Sequence, residues 1–212
     1  GPLVRNGSEP LPTPKGVLLL TVRDAQRETS LTNPELSLQA RSSRSPMDVQ
    51  EDGRIVALEA DTGRLLWETP EDRVVPFTLT AENNRVFYHN SEELVCLDET
   101  SGQELWRQPD DTTISNRWDV RHILIAHEDL VFLSLPKSKC CAFDAASGEL
   151  LWTSSGGRGS AFNTTPMEMF IIDELLWFTS NKELQGRDLR TGEIARTIEL
   201  PTFIHTPGHH LR

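Results

Sequence analysis

Apolar residues in this chain fall in short runs that are broken by clusters of Gly, Asn, Asp, Ser and Thr. That pattern predicts β-strands joined by tight turns, because a helix needs a longer stretch with a period near 3.6. One arrangement recurs four times. It reads VALEADTGRLLW at Val56–Trp67, VCLDETSGQELW at Val95–Trp106, CAFDAASGELLW at Cys141–Trp152 and, in degenerate form, QGRDLRTGEIAR at Gln185–Arg196. The glycines of the four copies, Gly63, Gly102, Gly148 and Gly192, stand 39, 46 and 44 residues apart.

Each copy reads as a hairpin: an apolar strand, an acidic residue, a turn carrying Ser-Gly or Thr-Gly, and a second strand that three times ends in Trp. Glycine suits a turn position with positive φ, and the flanking Val, Leu, Phe and Trp suit a pleated, half-buried surface. A further strand pair precedes each of the last three copies. Phe77–Thr80, turn Ala81–Asn84 and Arg85–His89 form the first; Ile123–Ala126, turn His127–Asp129 and Leu130–Leu135 the second; Met167–Ile172, turn Asp173–Glu174 and Leu175–Thr179 the third. Four short strands in meander order make a propeller blade. The chain is therefore expected to be an all-β propeller of four-stranded antiparallel blades at about 16–70, 71–110, 111–155 and 156–200. Residues 1–15, with Pro2, Pro10, Pro12 and Pro14 and no periodicity, are expected to form an N-terminal tail. Residues 24–52 read as a polar insertion, with Arg41-Ser42-Ser43-Arg44 as its local positive patch, and 201–212 as a C-terminal loop.

The A-x-D-x-x-T/S-G-x-x-x-W pattern resembles the tryptophan-docking repeat of the PQQ-dehydrogenase-like (quinoprotein-type) β-propeller superfamily, over about residues 17–200. The resemblance implies that Gly and Trp of neighbouring blades stack at the outer strands, with Gly63/Trp67, Gly102/Trp106 and Gly148/Trp152 as the docking pairs. It also implies a ring of about eight blades. Four blades would then be part of a longer protein, or half of a ring closed by two copies, or a rarer four-bladed closure. The superfamily includes dehydrogenases that hold pyrroloquinoline quinone (PQQ) and usually Ca²⁺ in the central channel, and non-catalytic scaffolds such as the outer-membrane assembly lipoprotein of the BamB type. Bacterial periplasm or cell envelope is the location that the resemblance implies. Its nearer likeness is to the BamB-like and uncharacterised bacterial PQQ-like proteins.

The residues favour the scaffold. Cys140-Cys141 invites comparison with the vicinal cysteines that face the quinone in alcohol dehydrogenases of this superfamily. Here, however, the pair enters the docking motif on a strand, where alternation sends the two thiols to opposite faces as small apolar groups. No quinone or Ca²⁺ motif is recognisable, and Asp119 and Asn163 read as turn or strand-end residues. No cofactor is expected; PQQ and Ca²⁺ enter only under the alternative of a dehydrogenase fragment. A third reading is small-anion or carbohydrate binding. Gly156-Gly157-Arg158-Gly159-Ser160 lacks the Lys-Ser/Thr of a nucleotide loop but sits where one blade crosses to the next, which makes Arg158, Asn163 and Thr164 the candidates at a channel mouth. His205, His209 and His210 are weak metal candidates, because Pro207-Gly208 turns the chain between them.

Composition narrows the partners. With 21 Lys+Arg against 32 Asp+Glu the net charge is −11, which opposes the phosphate contacts that nucleic-acid binding relies on. The longest apolar run, Val17–Leu20, is far too short to span a bilayer. Three cysteines, two of them adjacent, make neither a disulfide framework nor a zinc site. Gly1–Arg5 lacks the charged-then-apolar order of a signal peptide, and Gly1-Pro2 matches the scar of a cleaved tag. Protein partners, self-association or further blades remain as the expected associates.

Overall fold

The computed structural model describes residues 3–5, 10–24, 53–75, 78–90, 92–109, 122–135, 139–154, 169–180 and 183–199. Among them the fold is all-β, in four antiparallel sheets that follow one another along the chain. Blade 1 holds β1 (Leu3–Arg5), β2 (Leu11–Pro12), β3 (Val17–Asp24), β4 (Arg54–Glu59) and β5 (Leu65–Glu68). Blade 2 is β6 (Thr80–Glu82), β7 (Arg85–His89), β8 (Glu93–Asp98) and β9 (Glu104–Pro109). Blade 3 is β10 (Leu124–His127), β11 (Leu130–Leu135), β12 (Lys139–Asp144) and β13 (Leu150–Thr153). Blade 4 is β14 (Met169–Ile172), β15 (Leu175–Ser180), β16 (Glu183–Asp188) and β17 (Ile194–Glu199). Each of blades 2 to 4 is a simple meander in which every strand pairs with the next. No helix of the described residues is long and apolar enough to cross a membrane.

The described residues of the first fifteen differ from expectation. Leu3–Arg5 pairs with Val22–Asp24, and Leu11–Pro12 pairs with Leu18 and Leu19, so the two segments together form the innermost strand of blade 1. Prolines disguised it. An edge strand tolerates residues that lack an N–H, whereas a central strand does not, and the innermost strand of a blade is an edge. The start of blade 2 also moves: β6 begins at Thr80 rather than Phe77. Its turn is the two-residue Asn83-Asn84, with φ of 47° and 65°, the positive pair that a tight hairpin requires. The stretch 25–52 and the loop 201–212 lie outside the described residues.

The hairpin turns of the repeats are built alike. Asp98 Oδ1 accepts N–H bonds from Thr100 (3.1 Å) and Ser101 (2.8 Å), and Asp144 and Asp188 do the same for residues two and three positions on. Glu59 takes this position in blade 1 and bonds Thr62 and Arg64 instead. Each turn then reaches a glycine with φ between 69° and 76°, a conformation that L-residues adopt at a cost. The third and fourth strands of every blade shift register at one equivalent point, just after Ala57, Cys96, Ala142 and Gly186. A bulge there adds local twist.

The core is divided among the blade interfaces. Leu19, Ile55, Ala57 and Trp67 of blade 1 meet Val86, Tyr88, Val95 and Leu97 of blade 2. Phe87, Leu94 and Cys96 meet Val131, Leu133, Cys141 and Phe143 of blade 3, and Phe132, Cys140, Ala142 and Trp152 meet Met169, Leu176 and Phe178 of blade 4. Burying an aromatic such as Phe132 fully contributes roughly 2–3 kcal/mol, so stability resides in the stacking of one sheet on the next.

Candidate interaction surface

Three tryptophans tie the blades together at their outer strands. Trp67 Nε1 donates to the Glu99 carbonyl at 2.8 Å, Trp106 Nε1 to Ala145 at 3.1 Å and Trp152 Nε1 to Leu189 at 2.9 Å. In each case the acceptor lies three residues before a glycine, and the indole lies flat on that glycine. A Cβ built on Gly102 would stand 2.6 Å from the Trp67 ring, on Gly148 2.7 Å from Trp106 and on Gly192 2.5 Å from Trp152. The pairs therefore run from one repeat to the next: Trp67 with Gly102, Trp106 with Gly148 and Trp152 with Gly192. The pairing within a repeat, such as Gly63 with Trp67, does not occur. Residues four apart around one hairpin lie on a single sheet, whereas the indole reaches across to its neighbour.

Just before those tryptophans the outermost strands carry exposed apolar side chains. Leu65, Leu66, Leu105, Leu150 and Leu151 are all at least a third exposed, and Ile194 and Ile198 continue the row in blade 4. No described strand pairs with the outer side of β5, β9, β13 or β17, so backbone N–H and C=O groups are open beside this apolar row. A patch of that kind fits an interaction surface.

Turns of blades 2, 3 and 4 form a second line of contacts. Asn83 donates to the Glu128 carbonyl at 2.6 Å, joining blades 2 and 3, and Arg190 of blade 4 holds both oxygens of Asp129 at 2.8 Å. The guanidinium keeps the Asp129 carboxyl below its usual range. His127, Glu128 and Glu174 gather beside this pair, with one ligand atom from each within 4.8 Å of the others. These three could hold a divalent cation. Sequence reading missed them, since they come from turns of two blades and share no motif.

The buried groups are structural. The Cys140 thiol enters the core between blades 3 and 4, 3.6 Å from Met169 Sδ, and Cys141 enters the core between blades 2 and 3. Burial pushes the Cys140 thiol well up, so the nucleophilic thiolate is suppressed. Two sulfurs in different cores cannot jointly face a quinone, and this pair does not fit that cofactor. Arg187 occupies the blade 3/4 core at the position of Leu97 and Phe143 in the earlier blades. It lies over the Phe178 ring and donates to the Gly192 carbonyl at 2.7 Å and to Gln185 Oε1 at 2.9 Å. His89 and His122 stack with their centroids 5.4 Å apart, and His122 Nδ1 lies 2.7 Å from the Ser134 carbonyl. A carbonyl only accepts, so that nitrogen carries the proton. The proposed channel-mouth residues Arg158, Asn163 and Thr164, the histidines His205, His209 and His210, and Asp119 all lie outside the described residues.

A family model described as outer membrane protein assembly factor BamB matches residues 51–205, well over half of the chain. The chain belongs to this family of PQQ-like β-propellers. No curated protein matches it. Among solved structures, BamB from Moraxella catarrhalis is similar with a TM-score of 0.54 and 19% identity, over 87% of this chain and 47% of that one. A europium-containing methanol dehydrogenase is similar with a TM-score of 0.51 and 15% identity, over 69% of this chain and 38% of that one. The computationally designed protein Ika4 matches over 92% of this chain and 93% of its own, with a TM-score of 0.53 and 14% identity. At these identities the likeness is one of fold. This PQQ-like chain spans about half the length of the BamB structure it matches.

Proposed function

We propose that this PQQ-like propeller is a non-catalytic scaffold that binds extended segments of partner proteins along its outer strands, with no cofactor. The observation that carries this reading is the row of exposed Leu and Ile on β5, β9, β13 and β17 beside open strand edges. An added strand gains main-chain hydrogen bonds from such an edge, and pockets for alternate side chains supply specificity. The misfit of Cys140 and Cys141 to a quinone supports the same reading over the dehydrogenase. Membership of a family described by an outer-membrane assembly factor agrees with it.

The test places a photo-cross-linking amino acid at Leu105 or Leu150, with Thr80 on the inner strand β6 as the control. Adducts with the same protein at both outer positions, absent at the control, are expected. Adducts at the control alone would refute the outer-strand reading. Stoichiometric binding of PQQ with Ca²⁺, accompanied by dye-linked alcohol oxidation, would refute the absence of catalysis.

A further inference from the structure

Blades 2, 3 and 4 each open with a two-residue hairpin turn, and the three turns differ in chemistry. Register fixes them as Asn83-Asn84 between Glu82 and Arg85, Glu128-Asp129 between His127 and Leu130, and Asp173-Glu174 between Ile172 and Leu175. Blades 2 and 3 meet here through a neutral amide, since Asn83 Nδ2 donates to the Glu128 carbonyl at 2.6 Å. Between blades 3 and 4 the same turns bring the Glu128 and Glu174 carboxylates up to the His127 imidazole, with one ligand atom from each within 4.8 Å of the others.

Two independent observations mark this meeting as incomplete without a cation. The first is charge. Neither the Glu128 nor the Glu174 carboxylate has a hydrogen bond or an ion pair among the described residues. Arg190, whose charge reaches Glu128, is held by both oxygens of Asp129 at 2.8 Å and so already has its counter-ion. Two like charges are left side by side, where they repel each other. The second is the imidazole. His127 Nε2 is buried and no described group bonds it, although a buried polar atom ordinarily finds a partner. It belongs to the end of β10, whereas the carboxylates stand on the turns. A neutral imidazole keeps a lone pair on one nitrogen, the form in which it ligates metal.

The donor set selects the ion. One imidazole nitrogen with two carboxylate oxygens suits Zn²⁺, whereas Ca²⁺ and Mg²⁺ take oxygen ligands. Atoms bound to one Zn²⁺ at about 2.1 Å stand no more than about 4.2 Å apart. Both glutamates are exposed and reach that spacing from 4.8 Å by small rotations of their side chains. Three protein ligands leave the fourth tetrahedral position to water, and the charge of the ion balances the two carboxylates.

We propose that His127, Glu128 and Glu174 form a Zn²⁺ site that clamps blade 4 to blade 3 at the tips of their first hairpins. Blade 3 supplies two ligands and blade 4 the third, so the complete site exists only when the two sheets are stacked. The ion contributes to packing rather than to a reaction, which leaves the scaffold reading as it stands.

Calorimetric titration of the full, chelator-treated chain with Zn²⁺ tests the site. Alanine at His205, His209 and His210 keeps those imidazoles out of the count. This background chain is expected to bind one equivalent of Zn²⁺ and to melt about 5 °C higher when the ion stands about a hundredfold above its dissociation constant. Glu174→Gln, and separately Glu128→Gln from the other blade, should each weaken binding at least about tenfold, since loss of even a supporting partner of a ligand has that effect, and should remove the melting shift. Both changes are isosteric and lie on exposed turns, and an unchanged circular dichroism spectrum of the metal-free variants checks that they fold. Zinc-edge X-ray absorption should show nitrogen and oxygen neighbours alone. Four outcomes overturn the proposal: no stoichiometric binding, binding undiminished in both glutamine variants, equal affinity for Mg²⁺, or a sulfur shell that puts the ion on a cysteine.

Discussion

Alanine substitution at two equivalent glycines separates the backbone term from the contact between blades. Gly63 and Gly102 share a left-handed φ, 70° and 69°. An alanine at either position therefore meets the same local penalty, about 1 kcal/mol. Among the described residues, only at Gly102 does the new methyl strike a neighbour, since its Cβ would lie 2.6 Å from Trp67 Cδ2 and Cε3. The indole must move, and the Nε1 bond to Glu99 O at 2.8 Å goes with it. A buried carbonyl left without its donor is worth about 1–3 kcal/mol, and lost ring packing adds to that. Gly102→Ala is thus expected to destabilise the chain by about 3 kcal/mol and Gly63→Ala by about 1 kcal/mol. Urea denaturation followed by tryptophan fluorescence measures both. A difference between the two variants below about 0.5 kcal/mol, within ordinary surface variation, would show that indole stacking on glycine does not hold adjacent blades together.

Three further expectations rest on buried or turn-forming groups. Burial pushes the Cys96 thiol from 9.0 up to about 12, so the unfolded chain loses its proton first and stability should decline as pH rises from about 9 towards 12; Cys96→Ala, the residue at the equivalent positions Ala57 and Ala142, should flatten that part of a stability–pH curve. Asp98 is held below its usual range chiefly by the Ser101 side-chain and backbone bonds, so its contribution is present above about pH 4 and lost on acidification; Asp98→Asn should weaken the acid limb of a thermal-melt series, and an identical limb would exclude the turn bonds as its cause. Arg187→Leu, which restores the residue type of Leu97, should leave urea stability within about 1 kcal/mol, whereas Arg187→Ala should lose about 3 kcal/mol through the cavity it leaves; equal losses would show that the guanidinium bonds outweigh packing.

Much of the architecture could be read from the residues. The period of the Ser/Thr-Gly turns located the blades, and the alternation of a pleated strand correctly sent Cys140 and Cys141 into different cores, since both follow from chain geometry within a few residues. Less could be read where composition contradicts the structural role. The prolines of residues 1–15 concealed the inner strand of blade 1, because edge pairing leaves little trace in a sequence. The cluster of His127, Glu128 and Glu174 was equally hidden. Glu174 stands more than forty residues after the adjacent His127 and Glu128, and only the stacking of blade 4 on blade 3 brings their turns together.

By itself, then, the sequence determined the repeat, the hairpins, the φ-positive glycines and the residues available for contact between blades, all of which depend on interactions within one sheet. Which glycine receives which tryptophan was decided by tertiary structure, because each indole crosses from its own blade to the next and its partner is set by the order in which sheets stack. The same crossing leaves no described indole over Gly63, and Arg196 stands on β17 where the outer strands of the other blades carry Trp.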